Sequence, residues 1–302
     1  MGRNSFTVDE NRNGFQRFVD KLRLRSHPLL RACLGEFCGT LVLMVFGCGL
    51  MAQVILGNHA FGGFLSVSLG WGMAVTFGVF FAGSCAAGHV NPAVTVGFAC
   101  AGKFPFRHVP FYILSQLAGG FIGSLVVFGV YREKIYQYIE AKDAGHFLVE
   151  TTGAIFVTRP SASQFTCFLD QVLGTALLAA GVLVMIDPKA WQMPKHLVPL
   201  YVGLLIYAIV GCFAINCGGA LNPARDLCPR LVILICGWGF NAFSADNYFF
   251  WVPIVGPIVG AILGSVLYEL TIGIHLDPIN TPVDQRQEKP DTNMELEQRL
   301  LC

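Results

Sequence analysis

Residues 88–95 read GHVNPAVT and residues 219–226 read GALNPARD. Each puts Asn-Pro-Ala ahead of a short apolar run, about 91–101 in the first case and 222–236 in the second. Asn is a good N-cap and Pro suits the first turn of a helix, so each box marks a helix start. Neither run has the roughly 20 residues that a helix needs to cross a hydrocarbon core. Around them lie apolar blocks that do, at about 34–56, 64–83, 109–131, 166–186, 197–217 and 250–274. Short helices among spanning ones read as half-helices that begin inside the membrane. Irregular backbone at that depth is tolerated only against protein or a water-filled cavity.

Composition agrees. Of 302 residues, 54% are hydrophobic and only 13% are charged, about half the charge of an average soluble chain. The formal net charge is +1, which implies neither a nucleic acid nor any other strongly charged partner. Charges collect at the ends and in connectors. Lys and Arg fill the arm 1–31 (Arg3, Arg12, Arg17, Lys21, Arg23, Arg25, Arg31), and they recur at Lys103 and Arg107, at Lys189 and Lys195, and in the tail. The connectors 57–63 and 237–249 have none. With six spans these loops alternate sides, and the positive-inside rule puts both termini in the cytoplasm. The connector 132–160, with Arg132, Lys134, Lys142 and Arg159, runs against that trend and is outvoted. The eleven cysteines form no C-x-x-C pair, and those in apolar blocks (Cys33, Cys38, Cys48, Cys100, Cys167, Cys236) are expected as small buried side chains.

The chain repeats itself. EFCGTLVLMVFG (36–47) and the first box are answered by QVLGTALLAAG (171–181) and the second, at offsets of about 131–135. Three spans per half is an odd number, so the halves insert in opposite directions. The fold class expected is an all-α membrane protein of six transmembrane helices plus two re-entrant half-helices in an inverted repeat. The organisation is an arm at 1–31, a channel domain at 32–275 (repeats about 32–131 and 165–275), and a polar tail at 276–302 expected to be cytoplasmic and disordered. In such repeats the functional site lies near the midplane. Two half-helices entering from opposite faces bring the positive ends of two macrodipoles together there. Asn91 and Asn222 cap those ends and offer amide N–H groups to a lumen. Hydroxyl and water oxygens accept from them, while cations and protons are repelled.

With its two boxes, their flanks and the six-span frame, the sequence resembles the major intrinsic protein family, the aquaporins and glycerol facilitators, over about residues 30–275. The resemblance implies an aquaporin-like fold and a homotetramer with one pore per chain in a membrane, expected to be the plasma membrane. The paired boxes Asn91-Pro92-Ala93 and Asn222-Pro223-Ala224 are its signature. It implies that Arg225 lines the narrowest, outward-facing constriction and that Trp71, twenty residues before Asn91, faces it. Gly219 holds a third position, and either Val210 or Gly211 the fourth. Gly219 stands where relatives often carry a larger side chain, which suggests a constriction at least as wide as usual. Five positions follow the glycerol branch: Asp226 directly after Arg225, Phe128 closing the third span, Arg230, and Pro253-Ile254 opening the sixth. The long connectors 132–165 and 237–249 fit as well.

Supporting roles follow by the same matching. Glu36 accepts hydrogen bonds from re-entrant backbone, Gln171 does this uncharged in the second half, and Asp226 holds the connector and Arg225 in place. His89 bonds loop backbone as a neutral ring. The function expected is passive passage of glycerol and water, with urea and other small neutral solutes as further candidates, no cofactor, and ions and protons excluded. A water-selective pore and a secondary transporter of a small polyol are the alternatives. The transporter needs an intramembrane ion site, and its only candidates, Glu36 and Asp170, match structural positions. No metal-ligand spacing, G-x-S-x-G elbow or phosphate-binding glycine loop supports an enzyme. Cys217 and Cys85 lie near the boxes as candidate mercury sites, and the basic arm suits anionic lipid.

Overall fold

The computed structural model describes residues 13–24 and 26–276. The tail expected at 276–302 lies, from residue 277 on, outside the described residues, as do the first twelve residues of the arm. The α-helices are α1 (Gly14–Lys21), α2 (Pro28–Leu56), α3 (Phe64–Gly83), α4 (Pro92–Cys100), α5 (Val109–Lys142), α6 (Gln164–Ile186), α7 (Val198–Phe213), α8 (Pro223–Ile233), α9 (Asn241–Tyr248) and α10 (Val252–Thr271). Proline stands in the first two positions of α2, α4, α5, α7, α8 and α10. A missing N–H costs nothing there, because the first turn has no intrahelical acceptor.

Five helical stretches are long and apolar enough to cross a membrane: Pro28–Leu56, Phe64–Gly83, Phe106–Lys142, Gln164–Ile186 and Asn241–His275. α7 is apolar but shorter, at 16 residues. The outer faces of these helices carry large apolar side chains, Phe46, Phe80, Leu114 and Leu263 among them. A surface that greasy fits lipid and not water, so the chain is an all-α, multi-span membrane protein.

The two halves pack in a pseudo-symmetric pattern. α2 packs on α3 and α5, and α6 on α7 and α10; α3 meets α7 across the middle, α4 lies against α10, and α8 against α5. Small residues set the closest approaches. A methyl group on Gly119 or Gly123 of α5 would lie 2.2 or 2.6 Å from the α2 carbonyls of Phe37 and Leu41. In the other half, Gly260 and Gly264 of α10 face the α6 carbonyls of Val172 and Ala176 at 2.3 and 2.2 Å. The Gly-rich stretch 119–123 is thus used inside the chain, as the small-residue seam that lets two membrane helices touch.

Three details differ from the sequence expectations. The third span does not end at Phe128, because α5 runs on to Lys142 and shortens the 132–165 connector. Its extension is charged on one side, while Ile135 and Ile139, one turn apart, are buried with Val149 and Ile155. The 237–249 connector holds α9, whose last residues Ala245, Asp246 and Asn247 leave helical geometry. Among the cysteines, Cys48 and Cys167 are buried as expected, but Cys33, Cys38 and Cys236 are half-buried and Cys100 is exposed. An apolar outer face accepts small thiols as readily as the core does.

Candidate functional site

The two boxes start α4 and α8 as the sequence indicates. Asn91 Oδ1 accepts from Ala93 N at 2.9 Å, and Asn222 Oδ1 accepts from Ala224 N at 2.9 Å and Arg225 N at 3.4 Å. With both amide oxygens held as caps, both NH2 groups point away from the helices. Asn91 Nδ2 donates to Leu221 O and Asn222 Nδ2 to Val90 O, each at 2.8 Å. The boxes are therefore cross-locked, each Asn gripping the residue that precedes the other. An amide NH2 has two hydrogens, so one on each remains for the cavity both side chains line.

Val90 and Leu221 are left-handed, with φ of 45° and 54°, a region that disfavours branched side chains. They stay there because both their backbone polar groups are claimed. Their carbonyls take the Asn amides, and their N–H groups go to a buried side chain in the first helix of each half. Val90 N donates to Glu36 Oε2 at 2.7 Å, and Leu221 N to Gln171 Oε1 at 2.9 Å. Glu36 also accepts from His89 N and Gln116 Nε2, and Gln171 Nε2 donates to Gly218 O. Glu36 and Gln171 thus hold equivalent places, one charged and one neutral. His89 contributes its backbone N–H to this lock, but its ring, expected on loop backbone, instead bonds the Thr95 hydroxyl through Nδ1 at 3.1 Å and sits against Phe98, Phe104 and Tyr112. Asp170 is tied to Asn216 Nδ2 at 2.8 Å.

A cavity of about 210 Å³ runs past both Asn side chains. It extends from Lys103 at one end to Trp71, Val210, Gly219 and Arg225 at the other. A second cavity, about 250 Å³, starts at the same four residues and opens toward Thr158 and Arg159. The four expected constriction positions therefore form the layer between two cavities. Of the two candidates for the fourth position, Val210 belongs to this layer; Gly211 is exposed on the outer face of α7. The expectation of extra width at Gly219 also changes. A methyl there would lie 2.6 Å from Val210 Cγ2, so the valine already fills the space a side chain at 219 would take.

Trp71 and Arg225 are stacked. The Arg225 Cζ lies 4.1 Å from the indole centroid, a cation–π contact close enough that no solute fits between the two. Behind the indole is Gly47, where a methyl would come within 2.2 Å of the ring. Arg225 Nη1 donates to Phe156 O at 2.9 Å, and its Nε–H has no protein acceptor although Arg225 is only 5% exposed. Gly47, Phe156 and Thr158 were not singled out from the sequence.

Asp226 turns away from the lumen into a buried network. Its Oδ2 accepts from Thr158 N at 2.8 Å and from Thr158 Oγ1, and its Oδ1 accepts from Arg230 Nε. Arg230 also donates to Ala242 O and Thr158 O. This network fixes the 156–158 segment whose Phe156 carbonyl holds Arg225. At the far end of the second cavity Arg159 makes a two-pronged bridge to Asp246, at 2.9 and 2.8 Å. The hydrogen bond to Asp246 raises the guanidinium's pKa further. At the opposite end, in the first cavity, Lys103 bonds Glu269 at 2.9 Å and lies 3.7 Å from Asp187.

Two capped helix ends, a small cavity with few polar groups, and one cation in an aromatic layer make a passage for small solutes. They hold nothing arranged for bond-making. The class they define is a passive channel for small solutes and water. Comparison with known proteins then identifies the family. Residues 23–268 match the model for major intrinsic proteins. Human aquaporin-9 is 38% identical over 281 residues, covering 91% of this chain and 94% of its own. Aquaglyceroporin-3 of Trypanosoma brucei brucei is 39% identical over 244 residues, covering 79% and 78%. The crystal structure of the aquaglyceroporin from Plasmodium falciparum superimposes with a TM-score of 0.72 at 33% identity, covering 81% of this chain and 97% of that one. The chain belongs to the major intrinsic protein family, whose members are channels and not enzymes.

Proposed function

We propose that the chain is an aquaglyceroporin, a pore for glycerol and other small neutral solutes as well as water, that excludes ions and protons. The observation that carries this reading is the layer of Trp71, Val210, Gly219 and Arg225 between the two cavities. Indole and valine offer a carbon backbone an apolar wall. Beside that wall, the Arg225 guanidinium, which lines both cavities, offers a hydroxyl oxygen its N–H donors. A polyol matches both sides of that slot; water uses only one. Passage requires the guanidinium to lift off the indole, which costs about 2 kcal/mol or more for a desolvated cation–π pair. The network of Asp226 and Arg230 supports the glycerol branch, as do relatives named for glycerol conduction.

Within this reading α7 is the fifth of six crossings in chain order. Its 16 residues span about 24 Å, and the turn at 214–217 extends it. α4 and α8 are the re-entrant half-helices, each ending near mid-membrane at its Asn cap. Both termini lie in the cytoplasm, and Arg225 faces outward. The homotetramer and the plasma membrane rest on family resemblance. A channel is favoured over a transporter because Glu36 is fully engaged by three donors and Asp170 by Asn216, so neither is an open ion site. The test is glycerol flux into proteoliposomes against glycerol concentration, with and without a proton gradient. A pore gives flux that rises linearly and ignores the gradient; saturation or proton coupling overturns it.

A further inference from the structure

Among the described residues, α1 is an amphipathic helix at the edge of the fold whose apolar stripe is not buried against protein. Phe15, Phe18, Val19 and Leu22 recur at the i, i+3, i+4, i+7 spacing and are 72, 57, 41 and 61% exposed. No residue of α1 is buried. A capping box closes its start, with Gln16 N donating to Asn13 Oδ1 at 2.9 Å and Asn13 N to Gln16 Oε1 at 3.0 Å. Eight residues with a good cap do not hold a helix in water, where the nucleation cost is met only over about 12–15 residues. A surface must take the stripe.

Charge and position say which surface. Residues 12–31 hold six Lys and Arg against the single acid Asp20, and Asp20 is bridged to Arg23 at 2.9 Å. Arg17 and Lys21 lie away from the stripe, where long basic side chains can reach up to phosphates. Only residues 22–27 separate α1 from Pro28, the first residue of a spanning helix. Six residues reach at most about 20 Å, so α1 is held within that distance of the membrane surface. An apolar stripe, a basic flank and a short tether to a membrane helix are the properties of an interfacial helix. We propose that α1 lies in the plane of an anionic lipid surface, with Phe15, Phe18, Val19 and Leu22 at the acyl boundary and Arg17, Lys21 and Arg23 among the headgroup phosphates. Only the choice of the cytoplasmic leaflet rests on the orientation proposed above.

The experiment uses the full chain in lipid nanodiscs, either pure phosphatidylcholine or with about 30% phosphatidylserine, and follows amide hydrogen exchange of residues 14–22. Exchange reads the helix and not the flux, so the outcome is independent of which solute the pore carries. Amides of α2 serve as the internal check that each variant is folded. The expected result is about tenfold slower exchange in the anionic discs than in the neutral ones, relieved by about 0.5 M salt. Arg17→Gln/Lys21→Gln/Arg23→Gln removes the difference between the two lipids, and Phe15→Ser/Phe18→Ser removes protection in both. Equal exchange in the two lipids overturns the proposal. So does a difference between the anionic and neutral discs that survives the charge variant. Protection that arises only when calcium-loaded calmodulin, an acidic helix-binding protein, is added also overturns it.

Discussion

Replacing Asp226 with Asn keeps the size of the side chain and removes its charge. Asp226 is fully buried and Arg230 is 2% exposed, so no water screens the loss. The amide also fails geometrically. If its oxygen stays on Thr158 N and Oγ1, its NH2 faces the Nε–H of Arg230; if it flips, its NH2 faces the Thr158 donors. Either way two donors confront each other beside an uncompensated guanidinium. Breaking one partner of a buried ion pair costs about 3–5 kcal/mol. At about 2–4 °C per kcal/mol for a chain of this size, Asp226→Asn lowers the midpoint of thermal unfolding by roughly 6–20 °C. The assay is thermal unfolding of the purified protein in detergent. Asp246→Asn is the control, because its bridge to Arg159 is partly exposed, at 27% and 19%, and such pairs contribute about 1 kcal/mol or less. A drop in Asp226→Asn no larger than in Asp246→Asn refutes the claim that a buried charge pair anchors the 156–158 segment.

Gly47→Ala puts a methyl 2.2 Å from the Trp71 ring and drives the indole toward the lumen. Glycerol permeability is expected to fall roughly tenfold, equivalent to about 1.4 kcal/mol of added barrier, with a smaller loss for water; an equal loss for both contradicts the slot. Cys217 lines the second cavity, with Thr158 and Arg159, and Cys85 does not, so inorganic mercury is expected to slow flux and Cys217→Ser to relieve the block, measured as solute flux before and after thiol reduction. The cluster of Lys103, Asp187 and Glu269 sets a pH range for stability. Burial opposes the charge on Asp187, but the Lys189 N–H, the Tyr268 hydroxyl and Lys103 outweigh it and leave the carboxyl's pKa below its usual value. The hydrogen bond to Glu269 raises the pKa of Lys103. A lowered carboxyl stabilises the fold above its unfolded pKa, and that contribution is lost as pH falls through the folded value. A raised ammonium stabilises it below its unfolded pKa and loses that as pH rises through the folded value. Thermal midpoints are therefore expected to be level between about pH 4 and pH 10 and to fall outside that range, and Asp187→Asn is expected to flatten the acid side.

The frame of the fold was legible because its signals are local. Asn-Pro marks a helix start, apolar length marks a span, and the offset between boxes marks the repeat. Glu36 and Gln171 were legible as equivalents for the same reason, as each stands four residues before Thr40 or Thr175, and each threonine bonds its carbonyl. The constriction was only half legible. Val210 and Gly211 are neighbours about 100° apart around one helix, and only the fit of Val210 against Gly219 decides between them. Gly47 stands in one helix and acts on an indole in the next, a pairing no periodicity reports. Phe156, which accepts from Arg225, and Thr158, which donates to Asp226, lie 69 and 68 residues away, in a connector without regular pattern. The extension of α5 was hidden by its charges, although Ile135 and Ile139 carry the helical spacing.

The central claim is that one path, past Asn91 and Asn222 and through the Trp71–Arg225 layer, carries glycerol. Paired glycerol and water permeabilities of the same proteoliposomes, measured by stopped-flow light scattering, test it most directly. Glycerol permeability well above that of protein-free vesicles, together with water flux, is the predicted result. Water flux with glycerol at the protein-free level would contradict it.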